Sequence, residues 1–423
     1  MAVAERPGTG RTDVPVRPVP PRPARLGRSA GRHDKRMRDD AVPATTVTEQ
    51  TATLLWEACR REPRADSVRR TLAGGADIGW AVSAASEQRI GPLLWRALGA
   101  AGSIDALGPD GAALRGMADA SRMEALLLLP SAVALAVRPL TDAGLEPVVF
   151  KGPAVAARYP EPGLRPMDDI DLLLPRADHR RALDALGHAG WQVARPGGRD
   201  TNATVLTHRE VPSFFLEVHY ALEGASQRVT ALDPGTLWAM RQPLECAGTS
   251  AFGLPPAEEL VVLAAHAGGP HHRFQRLVWM ADLAMIVGVG AAVDWDRVCA
   301  VAGAAQCVTV VGAALEMARR AGLDAPAGLF PLPTEGRRGD AMRRLLSVTW
   351  PLTNLELPGW QFRYALTDAR AQRVKILVAT PFLGHGIRAR ARRVAGLPPR
   401  PVPTWRHHPG RQEAVRDGLP DPR

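Results

Sequence analysis

The chain has 423 residues, 46% of them hydrophobic, which is enough for two or three domains and a sizeable core. Its net charge of +10 looks like a nucleic-acid signature until it is located: residues 1–45 hold ten Lys/Arg against five Asp/Glu and residues 385–423 nine against three, so the tails carry the excess. Four cysteines without CxxC spacing argue against a zinc site or disulfide framework and fit a reducing cytosol.

In chain order, residues 1–46 are rich in Arg and Pro and poor in large apolar side chains, so a disordered basic tail is expected with no apolar leader. Residues 47–143 read as helices, the first capped by Thr48. The most apolar run, 125–137, is shorter than a membrane span and holds Pro130. It reads as a buried helix kinked or interrupted there, and no transmembrane segment is expected. The pattern changes at Gly144. Pro147–Phe150 reads as a strand, Gly152 as a turn, and Pro153 as the first position of a helix through "AVAARY". After a Pro/Gly loop come a second strand, "DIDLLLP", and an amphipathic helix, "RADHRRALDALGHAG". "WQVA", "ATVLTH" and "SFFLEVHY" follow as three further strands, with Gly197–Gly198 at a hairpin turn. The expected fold class is α+β: a small mixed β-sheet core over 144–250, flanked by helical regions over 47–143 and 251–395. Residues 396–423 form a second basic tail.

The chemistry sits in "KGPAVAARYPEPGLRPMDDIDLLLP", residues 151–175. Residues i and i+2 of a strand face the same way, so Asp169 and Asp171 project from one face while Ile170 and Leu172 fill the other. Two carboxylates side by side repel, and one takes up a proton unless a cation sits between them. Hard oxygen ligands suit Mg²⁺, and a two-metal site bridges ions about 3.5–4 Å apart. Glu217, an isolated acid in the apolar strand "FFLEVHY", is the candidate third ligand, on an adjacent or next-but-one strand. Asp168 faces away and caps the loop or pairs with Arg165. Upstream, the turn at Gly152 presents backbone N–H groups to an anion, and Lys151 can take a phosphate as a point charge. Only three of the 53 basic residues are lysines, which makes this one less incidental.

These stretches, with "LEVHY" downstream, resemble the uncharacterised nucleotidyltransferase family of bacterial proteins, within the polymerase-β-like superfamily. Its members pair a KG turn with an "R-x-M-x-D-I-D-L-L" strand and an acid-x-His strand. The resemblance spans roughly residues 120–290 and implies that Asp169, Asp171 and Glu217 bind the metals. The superfamily's Gly-Gly or Gly-Ser turn is here Gly152–Pro153. The implied activity is transfer of NMP from an NTP to an acceptor hydroxyl, with two Mg²⁺ ions (Mn²⁺ in their place being the alternative) and pyrophosphate as the leaving group. The competing expectation is a catalytically inactive nucleotide-binding or scaffold protein of the same fold.

Several residues keep two readings. Arg165 contacts the triphosphate or pairs with Asp168. His219 orients a carboxylate or the nucleotide, or is a satisfied core histidine. His266, His271 and His272 are separated by Gly268, Gly269 and Pro270, which argues against zinc. Asp282, inside an apolar helix, needs a partner such as Arg273 or Arg276. The basic tails could recruit nucleic acid, although solvated tails are the favoured reading.

Overall fold

In the computed structural model the described residues are 48–198, 201–223, 230–270, 272–288, 293–347, 359–374 and 376. Both basic tails, His271 and Lys375 lie outside them.

Seven strands form one mixed sheet: β1 (Val148–Phe150), β2 (Asp169–Leu173), β3 (Gln192–Arg195), β4 (Ala203–Thr207), β5 (Phe215–His219), β6 (Gln242–Cys246) and β7 (Thr249–Gly253). Their order is β3-β4-β5-β2-β1-β7-β6. β2 runs parallel to β5, and β1 parallel to β7; the other neighbours are antiparallel. The fold is α+β, with helices flanking a sheet, as expected. The five strands read from sequence are present. β6 and β7 are additional, and join through Ala247 and Gly248, both at positive φ (50° and 75°). That two-residue connection is the geometry that best matches the twist of a hairpin.

The sheet's two faces do different work. On one, Val149, Ile170, Leu172, Leu206, Leu216 and Val218 are buried against helices Leu129–Asp142 and His179–His188. On the other lie Val148, Phe150 and Leu173, packed with Leu237, Leu254 and Val262. This second face also carries Asp171, opposite Phe150 in the register, and Glu217 beside it. A larger apolar cluster joins helices from both flanks of the sheet: Leu54, Leu93 and Leu98 are buried together with Leu260, Leu283 and Val311.

The run 125–137 departs from expectation. Pro130 has no N–H to give to the carbonyl four residues back, and the ladder widens into a π-type turn over Glu124–Leu128, where the Leu129 N–H bonds Glu124 O. Leu126, Leu127 and Leu128 are consequently exposed rather than buried. Together with its neighbours this is the helix Pro109–Asp142, long and apolar enough by length and composition to cross a membrane. Its Leu129, Val133, Val137 and Leu140 side is packed on the sheet.

Candidate active site

β2 places the two aspartates as the period-2 argument requires. Ile170 and Leu172 are fully buried, Asp171 is 3% exposed on the opposite face, and Asp169 is half-buried. β5 lies directly alongside in parallel, and Asp171 is registered with Glu217, Leu173 with His219. The third acid is therefore on the adjacent strand. Four side chains converge: Lys151 Nζ is 2.8 Å and His219 Nε2 2.7 Å from the same Asp171 oxygen, Oδ1, and His219 Nε2 is 3.4 Å from Glu217 Oε2. His219 is 1% exposed, with its ring edge against Phe150 and Nδ1 near Ala221 O (3.4 Å) and Asn202 Nδ2 (3.3 Å).

Lys151 turns the chain from β1 into the helix Gly152–Ala156 at φ 56°, and its Nζ also lies 4.8 Å from the Phe150 ring centre. Gly152 packs closely here. A Cβ would stand 3.3 Å from Asp169 O and 3.4 Å from Arg165 Nη1. The helix has five residues, shorter than "AVAARY" promised, so little dipole stands behind the turn. The positive charge at this point comes from Lys151, whose ammonium rests on Asp171.

The electrostatics follow from crowding. Burial first, then Asp171, Asp168 and Glu217, push the Asp169 carboxyl up to about 7. Burial also works against ionised Asp171, but Lys151 and His219 outweigh it and hold that carboxyl well below the usual range. Burial and the Lys151 charge lower His219, and its hydrogen bonds to Asp171 and Glu217 more than reverse this. Ionised together, Asp169, Asp171 and Glu217 outnumber the positive charges that Lys151 and a protonated His219 can bring, so the face is short of positive charge. A bound cation suits that deficit. Among the described residues Asp171, Glu217 and His219 also bring one ligand atom each within 4.8 Å of one another, a mixed oxygen and nitrogen donor set.

Three partnerships differ from expectation. Asp168 pairs with Arg89, from the N-terminal helices, and not with Arg165. Arg165 gives Nε and Nη2 to Asp282 (2.9 Å each), and Tyr159 donates to the same carboxylate at 2.7 Å. Asp282 is thus held by Arg165, not by Arg273 or Arg276, and only Nη1 of Arg165 is turned to Gly152. The distance along the chain, 117 residues, hid this pair. Arg195, on β3, two strands from β5, reaches 3.8 Å from Glu217 and had no sequence signal. His266 and His272 pack ring to ring, 4.2 Å between centres.

The mixed sheet thus gathers three carboxylates, a lysine and a histidine on one face. The chain belongs to the uncharacterised nucleotidyltransferase family, whose model matches residues 74–321, more than half of its length. No curated protein and no solved structure matches it.

Proposed function

We propose that this protein is a divalent-metal-dependent nucleotidyltransferase that moves NMP from an NTP to an acceptor hydroxyl and releases pyrophosphate. The observation that carries the reading is the parallel register that sets Glu217 beside Asp171, with Asp169 two residues upstream on the same face. Asp169, Asp171 and Glu217 would hold Mg²⁺ or Mn²⁺, and the bound metal would supply charge neutralisation at the triphosphate and activation of the acceptor oxygen.

The chain's own residues do the rest. The paired strands fix the carboxylates to the backbone, so that they meet the substrate without reorganising. Lys151 ends between the carboxylates and open space, and its flexible stem lets the ammonium pass from Asp171 Oδ1 to a phosphate oxygen. Gly152 lets the backbone come close to β2 at this turn. Glu217, less buried than Asp171, is placed to take the acceptor proton. His219 holds Asp171 and Glu217 in their relative positions. Arg165 anchors the loop before β2 through Asp282. The reading goes with a cytosolic location, which the sequence's lack of a disulfide spacing first suggested.

The experiment is pyrophosphate release from each of the four NTPs with Mg²⁺ or Mn²⁺, in wild type and in Asp171→Asn and Glu217→Gln, across a panel of hydroxyl acceptors. Turnover lost in both variants supports the assignment. Undiminished turnover in either variant sinks it. Metal-dependent NTP binding with no release under any acceptor moves the protein to the binding-only reading, which the Lys151–Asp171 contact favours by occupying one metal-facing oxygen.

A further inference from the structure

Beside the carboxylate cluster a cavity opens whose walls, Lys151 apart, the transfer chemistry does not use. Lys151 lines it together with the apolar Leu222, Leu232, Val262 and Ala265 and with His266 and His272.

The two histidines form a braced wall. His266 ends the helix Pro256–Ala267, His272 follows one turn later, and both rings meet the Trp279 ring edge-on, at 5.6 and 4.9 Å between centres. Trp279 is itself fixed in the next helix, Leu277–Val287. Burial, then the charges of His272 and Lys151, hold His266 well below its usual range, so its ring is uncharged at neutral pH.

We propose that this cavity receives the nucleobase of the NTP, stacked against the His266–His272 wall, with Lys151 marking the end where the triphosphate meets the carboxylates. The inference rests on the nucleotidyltransferase reading and names where its donor sits. The apolar lining decides between occupants. A polyhydroxylated acceptor would leave hydroxyls facing leucine and valine unpaired, which is costly. A flat heteroaromatic ring buries its faces there and keeps polar atoms only at its edge. Thr230 and Glu223 line the same cavity for that edge, the carboxylate being oriented by the Thr230 N–H and hydroxyl, both 3.1 Å from Oε2. Stacking on aromatic rings tolerates every base, and its loss typically lowers affinity about tenfold to a hundredfold.

The test is calorimetry of the full-length protein with Mg²⁺, using the four NTPs and inorganic tripolyphosphate as probes, on wild type, His266→Leu, His272→Leu and His266→Phe. We expect wild type to bind at least one NTP more tightly than tripolyphosphate. The leucine variants should lose tenfold or more of the NTP affinity while binding tripolyphosphate as wild type does, which also shows that they are folded. His266→Phe, which keeps a flat ring, should restore most of the loss. NTP affinity unchanged in both leucine variants overturns the base subsite and leaves the nucleotidyltransferase reading standing. Equal losses of NTP and tripolyphosphate, unrestored by phenylalanine, overturn it too, because the rings would then act through the phosphates or the fold. Wild type that binds neither probe removes both readings together.

Discussion

The sharpest prediction concerns Arg165 and Asp282. Asp282 is fully buried and Arg165 is 9% exposed, and the two share a bidentate contact of 2.9 and 2.9 Å. Asp282→Ala leaves the guanidinium buried without its counter-ion and takes an acceptor from the Tyr159 hydroxyl. Removing one partner of such a pair costs about 3–5 kcal/mol. At roughly 2–4 °C per kcal/mol for a chain of this size, the midpoint falls by about 6–20 °C. Exchanging the pair for apolar side chains, Arg165→Met with Asp282→Leu, removes the stranded charge, and the double variant should recover most of that loss. Urea unfolding followed by circular dichroism and fluorescence measures both quantities. Calorimetry with NTP supplies the functional half: if Arg165 anchors the loop and does not grip the triphosphate, the double variant binds NTP nearly as wild type does. A loss below about 1 kcal/mol for Asp282→Ala refutes the burial argument. Recovered stability with NTP binding abolished refutes the anchoring role and returns Arg165 to the nucleotide.

Three other outcomes follow from the same geometry. Asp169 has a folded-state value raised to about 7 against an ordinary 3.8, so its contribution to metal-free stability is full below about 3.8 and is lost as pH rises through about 7. Proton and metal compete for it; apparent Mg²⁺ affinity by calorimetry should rise between pH 6 and 8, and Asp169→Asn should flatten that slope. Lys151→Met leaves Asp171 without its 2.8 Å partner, so Mg²⁺ should bind more tightly while NTP binds about tenfold less well, the value of one charge-assisted contact; parallel losses of both ligands would contradict the assigned role. Leu127, 59% exposed on the π-type turn, should tolerate serine within about 0.5 kcal/mol. Leu140→Ala, on the buried side of the same helix, should cost about 2–5 kcal/mol in chemical denaturation.

What could be read from the sequence was whatever the local pattern encodes. The alternation Asp-Ile-Asp-Leu fixes which side chains share a face, so the carboxylate pair and its apolar backing were legible before any fold was known. Glu217 was legible as an acid with no local reason to be there. β6 was not, because "QPLEC" has neither β-branched residues nor strict alternation, and most of its side chains are exposed. The usable signal was the next two residues, Ala247 and Gly248, which make the tight hairpin connection. His219 was noticed, but its spacing could not show that it serves as a buried side chain and as a member of the site together. The ion pairs were out of reach altogether. Arg89 meets Asp168 across 79 residues and Arg165 meets Asp282 across 117, and arginine-rich composition offers many equal candidates for each.

Those ion pairs supply the strongest internal argument for the site. Buried structural acids in this chain are met by arginine: Glu57 by Arg64, Glu258 by Arg297, Glu259 by Arg158 and Asp282 by Arg165. Each pair brings its own neutralising charge, which is what burial of a carboxylate demands. The face of β2 and β5 breaks that habit. Three carboxylates share one lysine and one histidine there, Asp169 has no cation within ion-pair distance among the described residues, and Arg195 approaches Glu217 only to 3.8 Å. A chain with 53 Lys and Arg does not lack positive charge to place at this point. Leaving the deficit open costs stability in the empty protein, as the raised Asp169 carboxyl shows, and either a proton on Asp169 or a bound cation relieves that cost. A site held short of charge against the pattern of the rest of the fold suits a bound cation, and hard oxygen ligands from two parallel strands are the kind of donors that the proposed divalent metal would take.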